Sequence, residues 1–350
     1  VRVLVAMSGG VDSSVAAALL HEQGHEVVGA TLKLWSGAGD SGCCSVADVT
    51  DARRVADQLG IDHHVFNFTE EFEASVIGPY VAAHAAGRTP NPCVECNRHL
   101  KFRRLLDRAL RLGFDAVATG HHARVERDAS GRPQLLRGAD AAKDQSYVLS
   151  VLGAAELERV LLPVGELTKA EVRAAATGRG LRTAAKPDSQ DVCFVASRTP
   201  GAGRASFLAE RIELHPGRVV DARSGAALGT VEALELVTVG QRRGLGVASG
   251  GGVGARRYAL AVDVASRTVL VGGEDELLTG AVRLAERTWV HEALPPGTEV
   301  LVQASAHGRP RPAAVDEDGV RFAAPERRVA PGQLVACYRG DAVVGSGIAC

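Results

Sequence analysis

The chain has 350 residues, 46% of them hydrophobic and 23% charged, with a net charge of −1 at neutral pH. This is a globular composition with room for two or three domains, and it excludes binding nucleic acid through overall positive charge. No window approaches the roughly 20 apolar residues of a membrane helix, and no basic-then-apolar leader precedes the first strand, so a cytoplasmic protein with no membrane partner is expected.

The first apolar run, residues 1–6, reads as a strand and leads through Ser8-Gly9-Gly10-Val11-Asp12-Ser13 into an amphipathic helix over 13–23. Two glycines let the backbone turn sharply there, and the free N–H groups of the helix's first turn, with the Ser8 and Ser13 hydroxyls, make an anion site suited to pyrophosphate. Small residues also suit an ordinary strand-to-helix turn; placement at the first βα junction of an α/β pattern favours phosphate. Residues 27–33 and 64–67 read as buried strands, 48–59 and 70–86 as helices at the 3.6-residue period, 97–112 as a further helix and 116–119 as a strand ending at Gly120-His121-His122. Repeated βα units imply a doubly wound parallel sheet with its ligand at the strands' C-terminal ends. Helical pattern continues over 154–160 and 168–180.

After about residue 202 short β-type runs alternate with Gly, Pro and Asp turns: 218–220, 236–239, 258–264, 269–271, 282–285, 300–303, 320–322 and 334–338. A break at 278–281 divides this half. The expected organisation is an α/β domain over 1–202, a small β-rich domain over 203–278 and a C-terminal β-barrel over 281–350. The 250–254 glycine stretch reads as a loop tip.

Seven cysteines, an odd number without a leader, argue for reduced thiols rather than a secreted disulfide framework. Cys43 and Cys44 read as surface thiols, Cys337 as core and Cys350 as dispensable. Arginine has almost displaced lysine, leaving only Lys33, Lys101, Lys143, Lys169 and Lys186; asparagine survives only at 67, 91 and 97. Under such a bias a remaining Lys or Asn points to a chemical requirement, although caps and turns also retain Asn.

Chemistry concentrates in four further segments: Asn91-Pro92-Cys93-Val94-Glu95-Cys96-Asn97, Lys143-Asp144-Gln145-Ser146-Tyr147, Asp188-Ser189-Gln190-Asp191-Val192-Cys193-Phe194 and the basic glycine turn Gly240-Gln241-Arg242-Arg243-Gly244-Leu245-Gly246. Placing Cys96 at a helix N-terminus would favour its thiolate. Zinc is also suggested by C-x-x-C, but the matching second pair is missing.

With these segments in this order, the chain resembles the bacterial tRNA-specific 2-thiouridylase family over essentially its whole length, through AMSGGVDSSVA, GRTPNPCVECN, ATGHHAR, KDQSYVL, DSQDVCF and GQRRGLG. The resemblance implies an ATP-pyrophosphatase-like fold and ATP-dependent 2-thiolation of the wobble uridine (position 34) of tRNA, releasing AMP and pyrophosphate. It implies ATP contacts from Ala6, Met7, Ser8, Gly9, Gly10, Val11, Asp12, Ser13, Leu32 and Gly120, with Mg²⁺ accompanying the nucleotide. Cys193 would carry a persulfide and Cys96 would be its partner nucleophile, leaving a Cys96–Cys193 disulfide. Asn91, Pro92 and Cys93 would contact the target base; His121, Lys143, Asp144, Gln145 and Gln333 would contact the tRNA. A cysteine desulfurase or sulfur-relay protein is the implied donor. The family often has Asp where this chain has Cys93, so that carboxylate's role does not transfer, and Ser305-Ala306-His307 replaces a usual basic, aromatic patch. Cys93, Cys96 and Cys193 could instead hold a [4Fe–4S] cluster. An ATP-pyrophosphatase ligase or amidotransferase acting on a small molecule, or a plain nucleotide-binding module, would use the glycine loop but not the cysteine pair.

Overall fold

The computed structural model of the chain describes residues 1–35, 45–188, 192–195, 202–247 and 256–350. Cys43, Cys44, Ser189, Gln190, Asp191 and the 250–254 tip lie outside the described residues.

The N-terminal half is built on a parallel sheet. The apolar run at the start forms β1 (Arg2–Ala6), flanked by β2 (Glu26–Lys33) and β4 (Ala116–Ala118); β3 (His63–Asn67) lies outside β2, and the short strand Val160–Leu161 lies outside β4. Every pairing in it is parallel. One face packs on α1 (Val11–Glu22), α2 (Val46–Leu59) and the helix Lys169–Gly178; the other packs on helical segments over 69–85 and 92–111. Burial on both faces explains the continuous apolar runs of β1 and β2. β3 departs from expectation: it is the sheet edge, and Val65 is 42% exposed. The strand order reverses between β1 and β4, which opens a crevice at their C-terminal ends.

Two helices carry π-helical stretches, Glu73–Ile77 and Cys96–Arg104. The second revises the expected helix at 97–112, which starts a turn earlier at Pro92. Asn91 is its N-cap, its Oδ1 accepting from the Cys93 N–H at 3.1 Å, and proline follows at the first helical position. Cys96 therefore does not sit at the helix N-terminus; it opens the widened turn that follows. The expected helix over 154–160 is shorter, Ala154–Leu157, because the chain enters the strand Val160–Leu161.

The β-rich half forms two sheets. The first has the order Tyr258–Asp263, Thr268–Gly272, Gly217–Asp221, Ala227–Val231. Residues 236–239, expected as a strand, instead follow a 3₁₀ turn, Leu234–Leu236. In the second, Leu278–Trp289 pairs with both Gly319–Arg327 and Ala342–Ala349, closing a six-stranded barrel. Residues 278–281, read as a break, begin that long strand. The hairpin β5 (Ala123–Arg127) and β6 (Pro133–Arg137), not foreseen in the sequence, leaves the N-terminal half and pairs with Ala342–Ala349. Cys337 is core within the barrel, and burial pushes its thiol up to about 12. Among the described residues no helix is long and apolar enough to cross a membrane.

Candidate active site

The crevice where the strand order reverses is a pocket, and its floor is the loop between β1 and α1. Gly9 takes φ +72°, and a Cβ there would lie 2.3 Å from the Asp48 carbonyl oxygen, so only glycine fits. No side chain caps the N-terminus of α1 at Gly10, which leaves first-turn N–H groups for a ligand. The two hydroxyls converge: Ser13 Oγ accepts from the Ser8 N–H at 3.2 Å, donates to Gly10 O at 3.1 Å and lies 3.4 Å from Ser8 Oγ. Gly120, where β4 ends, presses on this loop, with its absent Cβ 2.5 Å from Ser13 N and 2.6 Å from Asp12 C.

Ion pairs stake the loop to the rest of the site. Lys169 Nζ donates to both oxygens of Asp12 at 2.7 Å, and His122 Nε2 lies 3.1 Å from Oδ1. Burial raises the Asp12 pKa, but hydrogen bonds from His122 and Lys169 outweigh it and hold the carboxyl below its ordinary value. Lys169 also reaches Asp188 at 3.0 Å, which pairs with Lys143 at 2.8 Å and Arg173 at 2.7 Å. There too burial is outweighed, by Lys143 and Lys169, and the carboxyl stays well below the usual range. Lys186 ties the same stretch to Asp48 and Asp51 at 2.7 Å each.

These pairs hold Lys186 and Asp188. Beyond Cys193, Phe194 is an anchor, with ring centroids 5.7 Å from Phe72, 5.5 Å from Tyr80 and 5.0 Å from Phe207. Between anchor and pairs, Val192 takes φ +55°, an unfavourable region for a β-branched residue. Cys193, half-buried, and Cys96, 6% exposed, line the one pocket with Cys93 and the Ser8–Ser13 loop.

Of the other expected site residues, Ala6, Met7, Asp12, Leu32 and Gly120 line this pocket, as do Pro92, His121 and Gln145. Gly9, Gly10 and Val11 shape the loop beneath it, and Val11 is buried. His121 bonds through Nδ1 to Thr119 Oγ1 at 2.7 Å. Burial first, then the Lys101 and His122 charges, keep its pKa well below the usual value. Lys143 is not among the residues lining the pocket and pairs with Asp188. Asp144 is buried and bonds inward to Arg137, Gly138 and Ser146. It orients the turn from which Gln145 accepts the His122 N–H at 2.9 Å. Gln333 lies on the barrel and donates to Thr89 O, while Thr89 N–H donates to Pro331 O at 2.8 Å. The barrel thereby holds the segment that delivers Asn91, Pro92 and Cys93.

Sequence reasoning assigned no site role to Lys169 or Arg173, and for His122 it set a plain loop position against nucleotide or RNA contact. Lysine scarcity is a signal for Lys101, Lys143, Lys169 and Lys186: Lys101 lines the pocket and the other three stake its surroundings. Among the described residues no group of three or more His, Cys, Asp or Glu side chains could hold a metal ion. Cys93, Cys96 and Cys193 share one pocket without forming the site of a single metal ion.

Lys169→Met is expected to lower unfolding free energy by about 2 kcal/mol at pH 7, the scale of a charged, partly buried hydrogen-bonded pair. Because the folded Asp12 pKa is depressed, this stabilisation is complete above the unfolded carboxyl pKa of about 4 and fades as pH falls through the folded value. Urea unfolding of wild type and variant between pH 7 and pH 3 measures it; a gap that widens on acidification contradicts the pairing.

Residues 1–197 match the family described as tRNA methyl transferase HUP domain, 205–273 its PRC-barrel domain, and 280–349 the aminomethyltransferase beta-barrel domain. The chain is 48% identical over 354 residues to the tRNA-specific 2-thiouridylase MnmA of Acidothermus cellulolyticus, covering 99% of this chain and 96% of that one. It is 49% identical over 359 residues to the protein of the same name from Kineococcus radiotolerans, covering 99% and 97%. It is 48% identical over 360 residues to that of Chloroflexus aurantiacus, covering 99% and 97%.

Proposed function

The chain belongs to the tRNA-specific 2-thiouridylase family, and from that membership we propose that it replaces O2 of the wobble uridine (position 34) by sulfur through an adenylated base and a Cys193 persulfide. The reaction class is tRNA 2-thiolation and the enzyme is a sulfurtransferase. The methyl transfer in the domain descriptions leaves the Cys96 and Cys193 thiols without a task, whereas sulfur transfer uses both.

The uracil C2 oxygen is a poor leaving group. Attack of O2 on the α-phosphorus of ATP makes it one, expelling pyrophosphate. The Ser8–Ser13 loop holds the departing phosphates through backbone N–H groups and the two hydroxyls, with Gly120 fixing the loop's height and Leu32 against the adenosine. Mg²⁺, arriving with the nucleotide, screens the phosphate charge. The outer sulfur of the Cys193 persulfide then attacks C2, and the C2–O bond breaks with loss of AMP. A disulfide now joins Cys193 Sγ to the sulfur on C2. The Cys96 thiolate attacks Cys193 Sγ; the S–S electron pair leaves with the base sulfur, giving 2-thiouridine and a Cys96–Cys193 disulfide. A thiol reductant restores both cysteines, and a cysteine desulfurase or sulfur-relay protein reloads Cys193.

Pro92 and Cys93 present the wall against which a splayed anticodon base would lie, on a helix start that Asn91 caps. His121 and Gln145 border it, Lys143 meets backbone phosphate, and Asp144 and Gln333 act as positioning residues. A cytoplasmic location accords with tRNA and ATP as substrates. One observation carries this reading: two cysteines about a hundred residues apart in sequence share a pocket with a phosphate-type loop. Incubation with ATP, Mg²⁺, a cysteine desulfurase, cysteine and unmodified tRNA, followed by nucleoside mass spectrometry, should yield 2-thiouridine. ATP turnover on a small molecule with no thiolated nucleoside would overturn it.

A further inference from the structure

Asn97, next to Cys96 in the π-helical stretch, is 2% exposed and lines the pocket. Its Nδ2 donates to the Val148 carbonyl at 3.3 Å. A carbonyl can only accept, so this bond fixes the amide: turning it over would set oxygen against oxygen. The other end, Oδ1, is buried with no hydrogen-bond partner in the protein. A buried acceptor without a donor is unfavourable, and in a binding pocket a ligand can relieve it.

The reacting atom of the target base is C2; of its two ring neighbours N1 carries the ribose, and N3 is the one open to recognition. Uracil carries a hydrogen on N3 and so donates there; cytosine presents a lone pair at the same place. Asn97 lines the same pocket as Cys96, the sulfur-releasing thiol, so its unpartnered Oδ1 belongs to the site that receives the base. Resting on the thiolation reading above, we propose that Asn97 Oδ1 accepts the N3–H of the target uracil and is a specificity residue for uridine over cytidine. Cytosine would set two acceptors against each other in a dry site, and that mismatch discriminates more strongly than a simple loss of contact.

Anticodon stem-loops bearing uridine, cytidine or 3-methyluridine at the target position test this by binding, because methylation removes the N3 donor. Wild type is expected to bind the uridine hairpin about 10- to 100-fold more tightly than the 3-methyluridine hairpin. In Asn97→Ala and Asn97→Leu that ratio should fall to within about threefold, with ATP affinity unchanged. Equal affinity of wild type for the uridine and 3-methyluridine hairpins overturns the assignment even if neither variant folds. A ratio preserved in the variants also overturns it, as does equal weakening of all three hairpins, the mark of a structural amide or one satisfied by water. A change confined to ATP affinity would place the adenine amino group, not uracil, on Oδ1 and likewise overturn it. Failure of wild type to make 2-thiouridine in tRNA refutes the functional reading itself; thiolation with an unaltered ratio refutes only the role of Asn97.

Discussion

Cys193→Ser should abolish 2-thiouridine formation, by about 10³-fold or more, while ATP-dependent pyrophosphate release on tRNA continues at a measurable rate. The two halves of the chemistry use different parts of the pocket. Adenylation needs the Ser8–Ser13 loop and the base wall at Pro92 and Cys93; sulfur delivery needs the Cys193 thiol, which lines the same pocket next to the anchored Phe194. Serine keeps the shape of the side chain but cannot carry a persulfide. Cys96→Ser is expected to fail later. The base–S–S–Cys193 adduct should form and persist, and added thiol should release it as 2-thiouridine. Nucleoside mass spectrometry with pyrophosphate detection separates the two variants. Normal thiolation by Cys193→Ser would rule out the persulfide route.

Gly120→Ala should be the most damaging change that touches no reacting group. The added Cβ would meet Ser13 N at 2.5 Å and Asp12 C at 2.6 Å, backbone atoms on the first turn of α1 that cannot swing aside. Relief must come from parting β4 from the phosphate loop, and a displacement near 1 Å in a positioned site costs about 100-fold in rate. Pyrophosphate release should fall by that factor while the thermal unfolding midpoint shifts little. Gly178→Ala is the control: nothing lies within 4 Å of its Cβ position, so activity should be unchanged. Wild-type ATP use by Gly120→Ala would remove the nucleotide from this loop.

Much of the nucleotide half was legible because its information is local. Val and Leu runs buried on both faces mark β1 and β2, and the paired glycines mark the turn that follows. The cysteine pair was legible through the order of the motifs rather than through spacing. What escaped depends on long-range contacts. Lys169 meets Asp12 across 157 residues, a partnership no window contains; only the rarity of lysine hinted at it. The β5–β6 hairpin gains its place from Ala342–Ala349, a strand at the far end of the chain. Residues 63–67 look like core by composition but lie at the sheet edge. The start of the Cys96 helix was misread although its signal was present: Asn91 followed by Pro92 is a cap-and-first-turn pair.

The pairing of Cys96 with Cys193 is tested most directly by one turnover without reductant. Persulfide-loaded enzyme, ATP, Mg²⁺ and excess unmodified tRNA are mixed, quenched with an alkylating agent and mapped by peptide mass spectrometry. The expected result is a Cys96–Cys193 disulfide formed in step with 2-thiouridine, one for one. Thiolated tRNA with both cysteines alkylated, or either one joined to a different cysteine, would contradict it.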